Sequence, residues 1–141
     1  MDGRTWSWGV LPVRLVVGIV FLVHGVQKIV VFGPGGTARF LASLGFPAAP
    51  VAAVLLIVVE TLGGLALILG LRTRWAAGLL AIDMLVAILT VNLRGGFFVP
   101  RGVEFPLTLL GACLSLLLLG AGSVSLDHLI GGRPRARSGR R

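Results

Sequence analysis

VLPVRLVVGIVFLVHGVQKIVVF, residues 10–32, decides the fold. A hydrocarbon core of ~30 Å takes about 20 helical residues to cross, so this stretch is long enough to span a bilayer. Yet it holds Arg14, His24 and Lys28. An ionisable group at mid-membrane costs about 2.5–3.5 kcal/mol on insertion scales, so such groups must meet partners inside the protein. At about 100° per residue, Arg14, Gly18, Phe21, His24, Gly25 and Lys28 fall within roughly 120° of the helix circumference, with His24 and Lys28 one turn apart. A spanning helix with a single charged face predicts a bundle with a polar interior. The stretch is about twice the length of a signal-peptide apolar region and lacks a small-residue cleavage site, so it reads as an uncleaved first span. Pro12 sits in its first turn, where proline is tolerated, and GPGG at residues 33–36 is expected to stop it.

Three further apolar stretches follow, at about Val51–Leu71, Trp75–Leu93 and Phe105–Leu119. The last is short for a span and is expected to extend by a few residues at one end. With 56% hydrophobic residues and a mean hydropathy of +1.00, a chain of 141 residues is too apolar to be a soluble domain. The expected class is an all-α integral membrane protein, a four-transmembrane-helix bundle with both termini cytoplasmic. One membrane domain over residues 10–127 is flanked by an N-terminal segment, 1–9, and a basic tail, 128–141. The connector TARFLASLGFP, residues 37–47, suits a short interfacial helix, with Thr37 as its N-cap and Phe40, Leu41 and Leu44 on one side. Pro47 and Pro50 open the second span, and Pro106 fits the start of the fourth.

The formal charge of +8 follows membrane topology rather than a nucleic-acid footprint. Arg4, Arg14, Arg72, Arg74 and the tail residues Arg133, Arg135, Arg137, Arg140 and Arg141 lie on the side of the termini, against Lys28, Arg39, Arg94 and Arg101 on the other. The positive-inside rule therefore puts both ends in the cytoplasm, at the plasma membrane, with anionic lipid headgroups as the tail's partner. Cys113 is the single cysteine, which excludes an intramolecular disulfide or a CxxC redox centre, and it reads as a small apolar filler.

Helical rise places His24, Glu60 and Asp83 at depths of about 12, 13 and 15 Å from the non-cytoplasmic ends of their spans, one shared level. Glu60 shares its face with Gly63 and Gly64, and Asp83 with Ala76, Ala87 and Thr90; small residues beside a polar one favour close helix contact in lipid. In the fourth span Glu104, Thr108, Gly111 and Ser115 align and are expected to face inward like the others, with Cys113 opposite. Glu104, at the helix start, meets free N–H groups there. The layer reads either as an ion-pair network that fixes which faces meet or as a functional site on a substrate, ion or electron path. A single buried His without a Glu-x-x-His pair argues against a metal site built from His24, Glu60 and Asp83. Arg14 is expected to snorkel to the interface, and His128 to be a solvated tail residue.

The strings RLVVGIVFLVHGVQKI (14–29), VETLGGLALILGLRTR (59–74), DMLVAILTVNLRGGFF (83–98) and VEFPL (103–107), with Gly120, Gly122, Leu126 and Asp127 closing, resemble the DoxX family of membrane proteins over residues 11–127. The resemblance implies a compact four-helix bundle in a family named after subunits of a thiosulfate:quinone oxidoreductase. Its polar positions would be Arg14, His24, Lys28, Glu60, Arg74 and Glu104; Asn92 stands where a histidine is expected. It further implies a quinone-linked subunit, with a redox partner protein or a second copy of the chain supplying what this chain lacks. His24, Lys28, Glu60 and Glu104 would be its catalytic residues, and Asp83, Asn92 and Phe97 would contact the cofactor, the Phe97 and Phe98 loop lying at the outer mouth. A proton-coupled small-molecule exporter and a non-catalytic scaffold for a partner enzyme remain alternative readings.

Overall fold

The computed structural model of the chain describes residues 3–131, with side chains from Trp8 onward. The side chain of Arg4 and the tail residues Arg133, Arg135, Arg137, Arg140 and Arg141 lie outside the described residues, and with them much of the charge asymmetry and the headgroup contact expected of the tail. Every regular element described is helical: α1 (Gly3–Val30), α2 (Gly33–Ser43), α3 (Ala49–Leu69), α4 (Thr73–Ala87), α5 (Glu104–Leu119) and α6 (Leu126–Ile130). α4 continues through a π-helical turn, Ile88–Asn92, and a 3₁₀ turn, Leu93–Gly95.

Among the described residues, three helical segments are long and apolar enough to cross a membrane: Trp8–Val30, Ala49–Leu69 and Thr73–Gly95. α5, with 16 residues, gains only Glu104 over the predicted range and reaches about 24 Å at 1.5 Å per residue. Gly120, at φ +83°, ends it.

GPGG behaves differently from the expectation. α1 stops two residues before it, Gly33 takes φ +68° to turn the chain, and Pro34 then occupies the first turn of α2. The motif therefore starts the second helix rather than stopping the first, because proline's missing N–H is free of consequence in a first turn. Thr37 is consequently not an N-cap but lies inside α2, its hydroxyl donating to the Gly33 carbonyl at 3.1 Å.

α1 packs most extensively on α3, and α4 on α5. The α1–α3 contact is made by glycines: a Cβ on Gly64 would lie 2.5 Å from the Leu22 backbone nitrogen, and one on Gly18 would lie 2.8 Å from the Gly64 carbonyl oxygen. This is the backbone approach that small residues permit between membrane helices. Phe21, Leu67, Leu80, Cys113 and Leu116 fill the interior, while Val16, Ile19, Val23, Val54, Val58 and Leu62 lie exposed on the outside. An apolar exterior of this extent suits acyl chains rather than water.

The inward face of α5 is the reverse of the expected one. Cys113, Leu109 and Leu116 are buried, whereas Thr108, Gly111 and Ser115 face outward. The hydroxyls tolerate this position because each bonds within its own helix, Thr108 to the Glu104 carbonyl at 2.8 Å and Ser115 to the Gly111 carbonyl at 2.9 Å.

Arg14 does not snorkel; it is 2% exposed. Its guanidinium donates from Nη1 to the Ala121 carbonyl and from Nη2 to the Val124 carbonyl at 2.7 Å, so a turn folded over the helix gives it nearer partners than the interface. Asp127 completes this end of the bundle, its carboxylate accepting from the Arg72 and Thr73 backbone N–H groups at 2.6 and 2.9 Å and so capping α4. The boundary predicted between residues 127 and 128 falls inside α6, which Ser125 caps by accepting from the His128 N–H at 3.1 Å.

Candidate functional site

α1 and α3, held together by the Gly18–Gly64 approach, bring Lys28 and Glu60 face to face, and Lys28 Nζ donates to Glu60 Oε2 at 2.6 Å. The side chains are 19% and 5% exposed, so the pair is shielded from solvent on most sides. Both residues lie on the wall of a cavity of about 620 Å³ that His24, Asp83 and Asn92 also line. The three residues placed at one depth by helical rise, His24, Glu60 and Asp83, are thus gathered around a single space.

Each polar group has its own arrangement. His24 Nδ1 lies 2.9 Å from the Val20 carbonyl, a contact that requires the proton on Nδ1 and leaves Nε2 as the ring's other polar atom. The Phe105 ring stands 6.0 Å away, centroid to centroid, tilted by 31°. Asp83 Oδ2 is buried with no hydrogen-bond partner, although its carboxyl lies within electrostatic reach of Glu60 and Lys28. One lysine therefore faces two carboxyl groups, and only Glu60 is paired with it directly.

The remaining predicted residues are not all brought to this place. Asn92 lines the cavity, but its Nδ2 donates to the Arg101 and Gly102 carbonyls at 3.3 and 3.0 Å, which ties the loop after α4 to its base. Glu104 and Phe97 are not on the cavity wall. Glu104 Oε1 accepts from the Val99 N–H at 2.8 Å and braces the loop, and Phe97 packs edge-on against Phe98 with centroids 5.3 Å apart. Arg74 also stands apart, donating to the Leu118 carbonyl at 3.2 Å. Among the described residues no three His, Cys, Asp or Glu side chains are grouped so as to hold a metal ion.

Two contributors escaped the reading of the sequence. The π-helical turn at Ile88–Asn92 carries the wall of the cavity on from α4 through Thr90, Val91 and Asn92. α2 supplies Phe40 and Leu41, and Phe46 follows just after it, so the connector closes one side of the cavity as well as running along the bundle. Its apolar side was visible in the sequence; that this side would meet the cavity was not.

Comparison with known proteins agrees with this architecture. The family model described as DoxX matches residues 9–93. A Bacillus subtilis (strain 168) protein named "Putative oxidoreductase CatD" is 33% identical over 127 residues, covering 90% of this chain and 90% of the relative. "Uncharacterized membrane protein Rv3486" of Mycobacterium tuberculosis (strain ATCC 25618 / H37Rv) is 39% identical over 138 residues, covering 90% and 84%. "Inner membrane protein YphA" of Escherichia coli (strain K12) is 31% identical over 124 residues, covering 84% and 87%. No solved structure matches the chain. A family match that starts in α1 and runs through the Lys28–Glu60 pair, with relatives aligned along most of their lengths, fixes the assignment: the chain belongs to the DoxX family and is a multi-pass membrane protein.

Proposed function

We propose that this chain is a quinone-linked subunit of a plasma-membrane oxidoreductase, with α5 as a fourth span, both termini cytoplasmic, and the cavity beside Lys28 as the quinone head-group site. The observation that carries the reading is one cavity with mostly apolar walls and Lys28, Glu60, His24 and Asp83 converging on it. Its volume of about 620 Å³ falls within the range of roughly 300–1,000 Å³ usual for small-molecule sites, and a few convergent polar groups in apolar walls are what orients a flat, lipid-soluble ring.

A quinone, when bound, supplies two-electron, two-proton carrier chemistry. The chain's own part is to orient the head group and handle protons. Lys28, held by Glu60, presents N–H donors to a ring oxygen, and His24, with Nδ1 tied to the Val20 carbonyl, has Nε2 left for a second contact. Asp83 Oδ2, buried and unpartnered, is a place to hold a proton. Electrons come from a partner protein carrying the redox centre. The name of the Bacillus relative is consistent with such a role.

Quinone titration of the purified protein in lipid nanodiscs tests the reading. Saturable binding that Lys28→Met weakens supports it, while uptake no greater than that of empty nanodiscs ends it. One observation favours a second reading: an unpartnered carboxyl in a membrane cavity also suits a proton-coupled exporter of small molecules. Proton release when substrate is added to the detergent-solubilised protein, without quinone binding, selects that alternative.

A further inference from the structure

We infer that the cavity is loaded sideways from the bilayer, through a gap between α3 and α4, and that its ligand carries a hydrocarbon chain which leaves through this gap while the polar head lies at Lys28 and Asp83. The inference rests on the quinone reading and adds the ligand's shape and its route. α3 and α4 are joined by a tight turn and meet at Gly63, where an added Cβ would lie 3.1 Å from Leu80 Cγ. Beyond that contact, successive turns of both helices line the cavity. Val59, Leu55 and Ala52 do so on α3; Asp83 and Val86 on α4, then Thr90 in the π-turn, stand on the other wall.

Several lining residues belong to the outer surface as well. Leu55 is 59% exposed and Ile82 61%, so these two side chains mark a place where the cavity meets the lipid-facing exterior. Elsewhere α1 and α3 are closed on each other by the Gly18–Gly64 approach and α4 and α5 by Cys113, Leu109 and Leu116, while Phe105, itself 44% exposed, stands beside His24 at the α5 side. The cavity thus runs from a polar end to an apolar mouth. A hydrocarbon chain is the occupant whose chemistry matches that mouth, because acyl surroundings and the walls at Leu55 and Ile82 solvate it equally well and no polar group there has to be satisfied.

Blocking the mouth tests the route. Ile82→Trp and, separately, Leu55→Trp place bulk at positions already facing outward, and both proteins are checked for unchanged helicity and thermal midpoint. Each is titrated in nanodiscs with a long-chain isoprenoid quinone and with the same ring bearing no chain. The expected result is that the wild type binds both, while each tryptophan variant binds the long-chain quinone about tenfold or more weakly and the chainless ring as the wild type does. Variants that bind both ligands like the wild type, or a wild type that accepts only the chainless ring, overturn the lateral route and leave the quinone site standing. A wild type that binds neither removes the site and the route together.

Discussion

Lys28 Nζ and Glu60 Oε2 meet at 2.6 Å across the α1–α3 seam, a charge-assisted contact between neighbouring helices in mostly apolar surroundings. Removing one member of a buried pair leaves an uncompensated charge, at a cost of about 3–5 kcal/mol, whereas replacing both with apolar residues is often neutral. Lys28→Met or Glu60→Leu alone should therefore lower the thermal midpoint sharply, and Lys28→Met/Glu60→Leu together should recover most of it. Thermal unfolding in detergent reads this directly. If the double variant folds well but no longer binds quinone, the pair serves the site; if it stays as unstable as either single variant, the compensation argument is wrong.

The seam that positions this pair depends on having no side chain at Gly64. A Cβ there would come within 2.5 Å of the Leu22 backbone nitrogen, which belongs to a helix and cannot yield by rotating. Gly64→Ala should force α1 and α3 apart at a cost of roughly 1–3 kcal/mol or more, and Gly64→Val should cost more still. Gly111 is the control, since an added Cβ there meets nothing within 4 Å and Ala is the better helix former. Size-exclusion profiles after stepwise heating should show early loss of the Gly64 variants and none for Gly111→Ala.

At the other end of the bundle, Arg14 and Asp127 hold the same turn from two directions. Arg14 donates to the Ala121 and Val124 carbonyls, and Asp127 caps α4 while its own N–H donates to the Gly70 carbonyl at 2.9 Å. Arg14→Met leaves two carbonyls short of donors, worth about 1–3 kcal/mol for each one left buried, and Asp127→Ala removes a cap worth about 1–2 kcal/mol. Because one segment carries both losses, the double variant should fall short of their sum, with a coupling of about 0.5–3 kcal/mol in a double-mutant cycle. Strict additivity would mean that the two residues act on separate structures.

Much of this arrangement could be read from the sequence because helical periodicity is rigid. The face carrying Arg14, His24 and Lys28 follows from 100° per residue, and the common depth of His24, Glu60 and Asp83 follows from 1.5 Å of rise. What escaped were features set by partners or by departures from regular geometry. Thr108 and Ser115 looked like members of an inward polar face, yet each satisfies its hydroxyl within its own helix and is free to face outward. Arg14 found carbonyls more than 100 residues away in sequence, which no local pattern announces. The π-turn at Ile88–Asn92 had no signal in the pattern, and of the three residues expected to contact a cofactor Asp83 and Asn92 line the cavity while Phe97, like Glu104, stays with the loop.

Asp83 gives the sharpest contrast between fold and function. Its Oδ2 is buried without a hydrogen-bond partner, and its nearest cation, Lys28, is paired directly with Glu60 instead. An unsatisfied buried polar atom costs about 1–3 kcal/mol, and proteins retain such groups mainly where activity needs them. Asp83→Leu, similar in size and fully apolar, should therefore raise the thermal midpoint while weakening quinone binding or abolishing proton-coupled turnover in the assembled complex. Asp83→Asn keeps the shape and a hydrogen-bonding end but cannot take up or give up a proton under ordinary conditions. It should preserve quinone binding and lose turnover, which separates a proton-holding group from one that only touches the ligand. A stabilised Asp83→Leu protein with full turnover would assign the carboxyl no part in the chemistry and return the site to Lys28, Glu60 and His24.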